Sequence, residues 1–161
     1  MSVYYDVQQV CLNGHIINDT IKFRPEANEE YCTLCGKKTI TQCPKCSTDI
    51  RGAMLINNPR GRPSPCESLT VAPAYCLSCG KPYPWTENKI LTAIQMFAEF
   101  GNLDDKEKET IEQDIKNIAE DAPQAELSAM RIKRLWEKYS PVARDIIMEL
   151  ASKTIAAILK G

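Results

Sequence analysis

The sequence predicts an α+β protein, with two small zinc-ribbon β units in tandem followed by an all-α domain of about four helices. Three observations predict this class. All the cysteines lie before Trp85, short strand-like segments separate them, and the chain after Trp85 follows the 3.6-residue period of amphipathic helices. The predicted domains are therefore 1–85 and 86–161. The first of these divides into one ribbon at 1–40 and a second at 41–85.

Seven of the eight cysteines and the single histidine form four pairs with the spacing of metal ligands. The pairs are Cys11-x-x-x-His15, Cys32-x-x-Cys35, Cys43-x-x-Cys46 and Cys76-x-x-Cys79. A short spacing places two donor atoms on one tight turn, and two such turns can surround a zinc ion tetrahedrally. The sequence therefore predicts two structural Zn²⁺ ions.

Two ways of combining these pairs are open. Sequential pairing gives site 1, made of Cys11, His15, Cys32 and Cys35, and site 2, made of Cys43, Cys46, Cys76 and Cys79. The alternative joins the two middle pairs and leaves the outer two to each other. Sequential pairing is favoured because the outer pairs would have to close a longer loop at a greater entropic cost. Iron in a rubredoxin-like centre is an open alternative for the all-cysteine site 2.

Glycine follows the second cysteine in two of the pairs, at Gly36 and Gly80, and Gly14 precedes His15. A tight turn that directs backbone N–H groups at sulfur atoms needs a residue with positive φ, which glycine adopts without steric cost. We expect these three glycines to have positive φ.

No catalytic arrangement is evident. A site with four protein ligands has no open position for water or substrate, in contrast to catalytic zinc. His15 is already assigned to a metal, so no Ser–His–Asp set can be assembled, and the sequence has no glycine-rich phosphate-binding loop. The sequence therefore predicts a non-enzymatic interaction or adaptor protein with a protein partner, and leaves its oligomeric state open.

Nucleic-acid binding is the alternative function. It would use Arg60 and Arg62, within the proline-rich loop 57–65, and a basic face of the third helix formed by Arg131, Lys133, Arg134 and Lys138. The net charge of −1 opposes it, because dedicated nucleic-acid binders are usually basic. Cys66 belongs to no pair, and is either a reactive thiol or a residue without a special role.

The beginning of the chain has no basic region followed by an apolar stretch, so we expect no secretory signal. No segment approaches the roughly 20 apolar residues that a membrane-spanning helix needs. Cysteines without an export signal indicate a reducing compartment, where thiols bind metals more often than they form disulfides. We therefore expect a cytoplasmic protein that does not contact membranes.

Local patterns predict the individual elements. Strands are expected at 7–10, 16–17, 20–23, 37–41, 50–56 and 69–72, with no regular structure at 57–65. Helices are expected to begin at Thr86, Asp104 or Asp105, Pro123 and Pro141, and Gly101 is expected to end the first. The predicted apolar seam of the third helix comprises Leu127, Met130, Leu135 and Tyr139. The fourth helix is expected to continue through Leu159.

The motifs as a set resemble a bacterial family of unknown function. The resemblance covers roughly 5–100 and rests on the four ligand pairs, the segment Ile50–Arg51–Gly52 and the segment after Cys79 that ends in Tyr83, Pro84 and Trp85. Members of the family are similar to two tandem zinc ribbons followed by a helical tail. The resemblance implies a bacterial cytoplasmic setting and the same eight ligands, and is compatible with a place in a multi-protein assembly.

Overall fold

The computed structural model describes residues 2–57, 61, 63–66, 68–100, 103–136 and 140–161, with the backbone alone at Phe100. The chain divides into two compact units, Met1–Thr86 and Glu87–Gly161. The first contains small antiparallel sheets and the second is helical, so the predicted α+β class is confirmed.

The described part of the N-terminal unit forms two three-stranded antiparallel sheets. The strands are β1 (Val3–Val7), β2 (Gln9–Cys11), β3 (Ile16–Asn18), β4 (Thr39–Ile40), β5 (Arg51–Asn57) and β6 (Pro63–Pro65). In one sheet β5 lies between β1 and β6, and in the other β2 lies between β3 and β4. Because β1 pairs with β5, the segments 1–40 and 41–85 contribute strands to the same sheet.

The prediction that 57–65 has no regular structure is wrong at its end. Residues Pro63–Pro65 form β6, with Pro65 opposite Leu55 and Pro63 opposite Asn57. Proline lacks the N–H that a central strand would need, but a strand at the edge of a sheet is paired on one side alone. The position of β6 at an edge explains how two prolines fit into it.

The strands expected at 20–23 and 69–72 are also absent, because buried carboxylates bind the backbone there. Asp6 accepts hydrogen bonds from the N–H groups of Lys22 and Phe23, at 3.2 and 3.0 Å, and residues 21–23 form a turn. Asp19 accepts the N–H of Leu69 at 2.9 Å. These N–H groups are satisfied by side chains that are distant in sequence instead of by a neighbouring strand.

One hydrophobic cluster of the N-terminal unit contains predicted ligands. Its buried residues are Val10, Cys43, Ile50, Cys76, Tyr83 and Trp85. The rings of Tyr83 and Trp85 stack with centroids 4.8 Å apart, and the indole Nε1 of Trp85 donates to the Pro73 carbonyl at 2.9 Å. Tyr83 and Trp85 are therefore core residues and do not form an exposed recognition patch.

Five helices are described: α1 (Pro84–Phe100), α2 (Asp105–Ala119), α3 (Ala125–Arg134), α4 (Pro141–Leu150) and α5 (Lys153–Lys160). The first begins two residues before the predicted Thr86, because proline is well suited to the first helical turn. Its predicted end, Gly101, lies outside the described residues. Asp104 caps α2, as predicted, in a reciprocal capping box with Glu107.

The predicted fourth helix is in fact two helices. The helical backbone stops at Leu150 and restarts at Lys153. Ser152 caps the new helix by accepting the N–H of Ile155 at 3.4 Å, and its hydroxyl donates to Asp121 at 2.9 Å. A serine that can cap a helix competes with continuous helix, which the apolar periodicity alone does not reveal.

The buried face of α3 also differs from the prediction, and its first residue is Ala125 instead of Pro123. Of the predicted seam, Leu135 is partly buried and packs against the helical core, Leu127 and Met130 are about half exposed, and Tyr139 lies outside the described residues. The buried residues are Ala125, Ser128, Ala129 and Ile132. Small side chains let α3 approach its neighbours closely, so the apolar periodicity of the sequence does not reveal this face.

The hydrophobic core of the helical unit, which α3 joins, contains Phe97 from α1, three isoleucines from α2, and Ile147, Ile155 and Leu159 from α4 and α5.

No helix within the described residues combines the length and the apolar character that crossing a membrane requires.

We expect Ala129→Leu to lower the free energy of unfolding of the helical unit by about 1–3 kcal/mol, because Ala129 is fully buried and extra methyl groups would overpack its surroundings. Urea denaturation followed by far-ultraviolet circular dichroism measures this. The neighbouring Met130→Leu, on the exposed face, should change the value by no more than about 0.5 kcal/mol. Equal effects of the two substitutions would contradict the assigned face.

Candidate metal centres

The eight predicted ligands lie in two groups of four within the N-terminal unit. One group contains Cys11, His15, Cys32 and Cys35, and the other contains Cys43, Cys46, Cys76 and Cys79. In each group the donor atoms all lie within 4.8 Å of one another. These are the sets that sequential pairing gives, so the structure realises site 1 and site 2. Cys66 is exposed and belongs to neither.

Site 1 combines one residue of strand β2 with two turns. Cys11 ends β2, and the following turn brings Nδ1 of His15 to 3.5 Å from the Cys11 sulfur. The same nitrogen lies 3.5 Å from the sulfur of Cys32, and the sulfurs of Cys11 and Cys35 are 3.7 Å apart. The backbone N–H of His15 donates to the Cys11 sulfur at 3.3 Å. His15 thus presents Nδ1 as its donor atom.

Site 2 is also built from two ligand pairs, and its four donor atoms are all cysteine sulfurs. The sulfurs of Cys46 and Cys76 are 3.6 Å apart, and those of Cys43 and Cys79 are 3.9 Å apart. Cys43 and Cys76 are buried, Cys79 is partly buried and Cys46 is exposed. The site therefore has a protected side in the core and one ligand that faces solvent.

These distances match a tetrahedron around one metal ion. Zn–S bonds of about 2.3 Å in tetrahedral geometry place two sulfurs about 3.8 Å apart, and a Zn–N bond of about 2.0 Å places nitrogen and sulfur about 3.5 Å apart. The sulfur pairs at 3.6 to 3.9 Å and the nitrogen–sulfur pairs at 3.5 Å agree with these values. These distances are compatible with a four-coordinate ion in each group.

The three Cys-x-x-Cys turns share one backbone pattern. The residue after each second cysteine donates its N–H to the carbonyl of the first cysteine: Gly36 to Cys32, Ser47 to Cys43 and Gly80 to Cys76, at 2.8, 2.8 and 2.9 Å. All three residues have positive φ, 67° at Gly36 and Gly80 and 60° at Ser47. The prediction that Gly14, Gly36 and Gly80 have positive φ is confirmed, with φ of 89° at Gly14.

Packing adds a second constraint at Gly14. A Cβ there would meet the Cβ and Cγ of Trp85 at 3.1 Å. The turn of site 1 thus lies directly against Trp85, while the stacked Tyr83 contacts the thiol of Cys76 in site 2. Burial raises the pKa of Tyr83, and the negative charge of Cys76 raises it further, so the phenol stays neutral.

The four thiols of site 2 cannot all ionise freely when crowded together. Hydrogen bonds from the backbone N–H groups of Cys79 and Ser78 lower the pKa of Cys76 to about 6. At Cys79 the backbone N–H of Lys81 lowers the pKa, but burial and the neighbouring thiols outweigh it and raise the pKa to about 11. Hydrogen bonds from Thr48 lower the pKa of Cys46. Hydrogen bonds thus favour the thiolates of Cys76 and Cys46, whereas Cys79 would need a nearby cation to be held as a thiolate.

The thiols of site 1 differ in the same way. Burial raises the pKa of Cys11, whereas the backbone N–H of Lys37 lowers that of Cys35. The spacing of the pairs in the sequence indicates all eight residues of the two groups, but it does not indicate these supporting hydrogen-bond donors. Ser47 and Thr48 could have been noticed, since they occupy the positions that Gly36 and Lys37 occupy in the first Cys-x-x-Cys turn.

The residues of the nucleic-acid alternative are described only in part. Arg60, Arg62 and Lys138 lie outside the described residues. Arg131 forms an ion pair with the buried Asp114 at 3.3 Å, and Lys133 donates to the carbonyl of Ile158 at 2.9 Å. These two cations therefore have contacts within the helical unit.

The fold and the donor groups define a protein with a β unit that carries two candidate metal centres and a separate helical unit. The chain belongs to the bacterial family described as "Uncharacterized protein conserved in bacteria (DUF2321)", which matches residues 4–159. No curated protein and no solved structure gave a significant match to this chain.

The three turns allow a test of the backbone pattern. Gly36→Ala and Gly80→Ala should each lower the free energy of unfolding of the N-terminal unit by about 1 kcal/mol, because positive φ is strained for an L side chain. A Cβ at either position meets no atom within 4 Å, so the cost would be conformational alone. Ser47→Gly should raise the stability by a similar amount. Urea unfolding followed by backbone amide resonances of the unit, at fixed free zinc, measures all three; a destabilised Ser47→Gly would contradict the shared geometry.

Proposed function

We propose that sites 1 and 2 each bind one structural Zn²⁺, and that the metal-stabilised unit acts as a non-enzymatic ribbon-like interaction module. The observation that carries this proposal is the closed geometry of the two donor groups. Four protein donors at tetrahedral spacing complete the coordination of zinc and leave no position for a substrate.

The donor chemistry favours zinc. Four thiolates, or three thiolates and an imidazole nitrogen, are the ligand sets of structural zinc sites. Soft sulfur donors also discriminate against Mg²⁺ and Ca²⁺, which prefer oxygen. A four-sulfur set accepts iron as well, so site 2 needs direct metal analysis.

An interaction role is supported by exposed leucines on the metal-binding turns. Leu34 lies between Cys32 and Cys35 and is 78% exposed, and Leu77 lies between Cys76 and Cys79 and is 57% exposed. Leucine on a turn that metal coordination holds rigid loses little further entropy on binding, which favours recognition of an apolar partner surface. A protein partner in a bacterial assembly fits these features.

Metal content tests the first part of the proposal. Wild-type protein prepared without chelators should contain two equivalents of zinc by inductively coupled plasma mass spectrometry. Cys76→Ser should reduce this to one, because one donor of site 2 is lost and metal binding there is coupled to folding.

Cys66→Ser is the matched control for that substitution. Cys66 is exposed and lies outside both groups, so the variant should keep two equivalents of zinc. Iron in site 2, fewer than two metal equivalents in wild type, or metal loss in Cys66→Ser would contradict the assignment.

Partner capture tests the interaction role. Tagged wild-type protein, isolated from its native cells, should retain a specific protein partner. The double substitution Leu34→Asn and Leu77→Asn should reduce recovery of that partner at least about tenfold with the zinc content unchanged, since it removes apolar contact without touching a ligand. Leu127→Asn replaces an exposed leucine on α3 and should leave recovery unchanged. Equal recovery with all three proteins would rule out the leucine-bearing turns as the interaction surface.

A further inference from the structure

A groove with the dimensions of a small-molecule site lies between α2 and α3. Its volume is about 330 Å³, which is within the range of ligand pockets. Leu103, Ile111 and Leu135 supply apolar walls, and most of the lining surface is apolar. The groove belongs to the helical unit and contains no residue of either metal centre.

Asp114 is an unusual part of this lining because its side chain is 2% exposed. Its Oδ1 accepts two hydrogen bonds, from the hydroxyl of Ser128 at 2.7 Å and from Arg131 at 3.3 Å. Its Oδ2 is buried and has no hydrogen-bond partner among the described residues. A buried carboxylate oxygen without a donor is destabilising, so the site lacks one hydrogen-bond donor.

Asp114 is itself part of the lining, so its carboxylate lies beside any molecule that occupies the groove. Rotation about χ2 of aspartate is soft, so the carboxylate can adjust to a ligand that brings a hydrogen-bond donor. Arg131, whose side chain is about half exposed, has room to follow this movement.

Charge balance indicates what kind of molecule would fit. The lining includes three acidic residues and three basic residues: Asp104, Glu107, Asp114, Lys106, Arg131 and Arg134. Asp104 and Glu107 are already bound to backbone N–H groups in the capping box, and Asp114 is paired with Arg131. A groove without net charge and with apolar walls favours an uncharged ligand.

We propose that this groove binds a small, neutral, mostly apolar molecule with one O–H or ring N–H donor, and that Asp114 accepts that donor. The apolar body of the ligand lies against Leu103, Ile111 and Leu135. The donor completes the hydrogen bonding of the Asp114 carboxylate. This proposal is independent of the metal centres.

Two probes of nearly identical shape test the proposal on the full, zinc-loaded chain. Indole has one N–H donor, and benzofuran has an ether oxygen in its place. In titrations followed by ¹H–¹⁵N correlation spectra, indole should shift the amides of Lys106, Ile111 and Arg131 and bind about tenfold more tightly than benzofuran, because a hydrogen bond to a carboxylate distinguishes them. Absence of these shifts with indole, or equal affinities of the two probes, would overturn the proposal.

A substitution then assigns the effect to Asp114. Asp114→Asn keeps an oxygen that can accept from Ser128, but it can place an amide N–H₂ where Oδ2 was. The roughly tenfold preference for indole should then disappear, so that the two probes bind with equal affinity. Asp145→Asn, on the exposed surface of α4, should keep the full preference. A preference that survives in a folded Asp114→Asn protein would also overturn the proposal. If that variant does not fold, the comparison of the two probes on wild-type protein still decides the outcome.

Discussion

The structure of the N-terminal unit depends on the crowding of sulfur atoms in its two donor groups. The four sulfurs of site 2, all within 4.8 Å of one another, would repel one another as thiolates, and the opposite pKa shifts of Cys76 and Cys79 reflect this crowding. The buried core around site 2 has six residues, and two of these are cysteine ligands. A cluster of that size gives limited hydrophobic stabilisation, and metal coordination would add to it.

Two kinds of contact extend this constraint through the unit. The stacked pair Tyr83–Trp85 contacts both metal centres, since Trp85 packs on Gly14 beside His15 and Tyr83 contacts Cys76. Buried carboxylates fix segments that lie between the two ligand pairs of each site. Asp6 accepts three backbone N–H groups, and Asp19 binds Arg24 and the N–H of Leu69. The interior of this unit therefore combines aromatic packing, clustered sulfur donors and buried polar contacts with its aliphatic side chains.

Features formed by residues close together in the sequence could be predicted, whereas features formed by residues far apart in the sequence could not. The ligand pairs and the positive φ of Gly36 and Gly80 are set within single turns, so spacing in the sequence was sufficient. The turn at 21–23 depends on Asp6, which is 16 and 17 residues away from the N–H groups that it binds. Strand β6 depends on its position at a sheet edge, and the small buried face of α3 depends on close helix packing. None of these conditions is visible in local periodicity.

Each unit leaves one buried side-chain oxygen without a hydrogen-bond partner among the described residues, Gln8 Oε1 in the N-terminal unit and Asp114 Oδ2 in the helical unit. The two differ in kind, because Gln8 carries a neutral amide whereas Asp114 carries a carboxyl group, whose charged form costs more to bury. In the N-terminal unit every oxygen of Asp6 and Asp19 has a donor from the same unit, and the sulfur donors are arranged for a cation. The helical unit has a core of twelve buried residues without cysteine, yet it leaves one oxygen of Asp114 without a donor. A core of that size does not require a buried carboxylate for stability, because an apolar residue of similar volume would avoid the desolvation cost. The cost of keeping Asp114 is therefore better explained by a binding role than by folding.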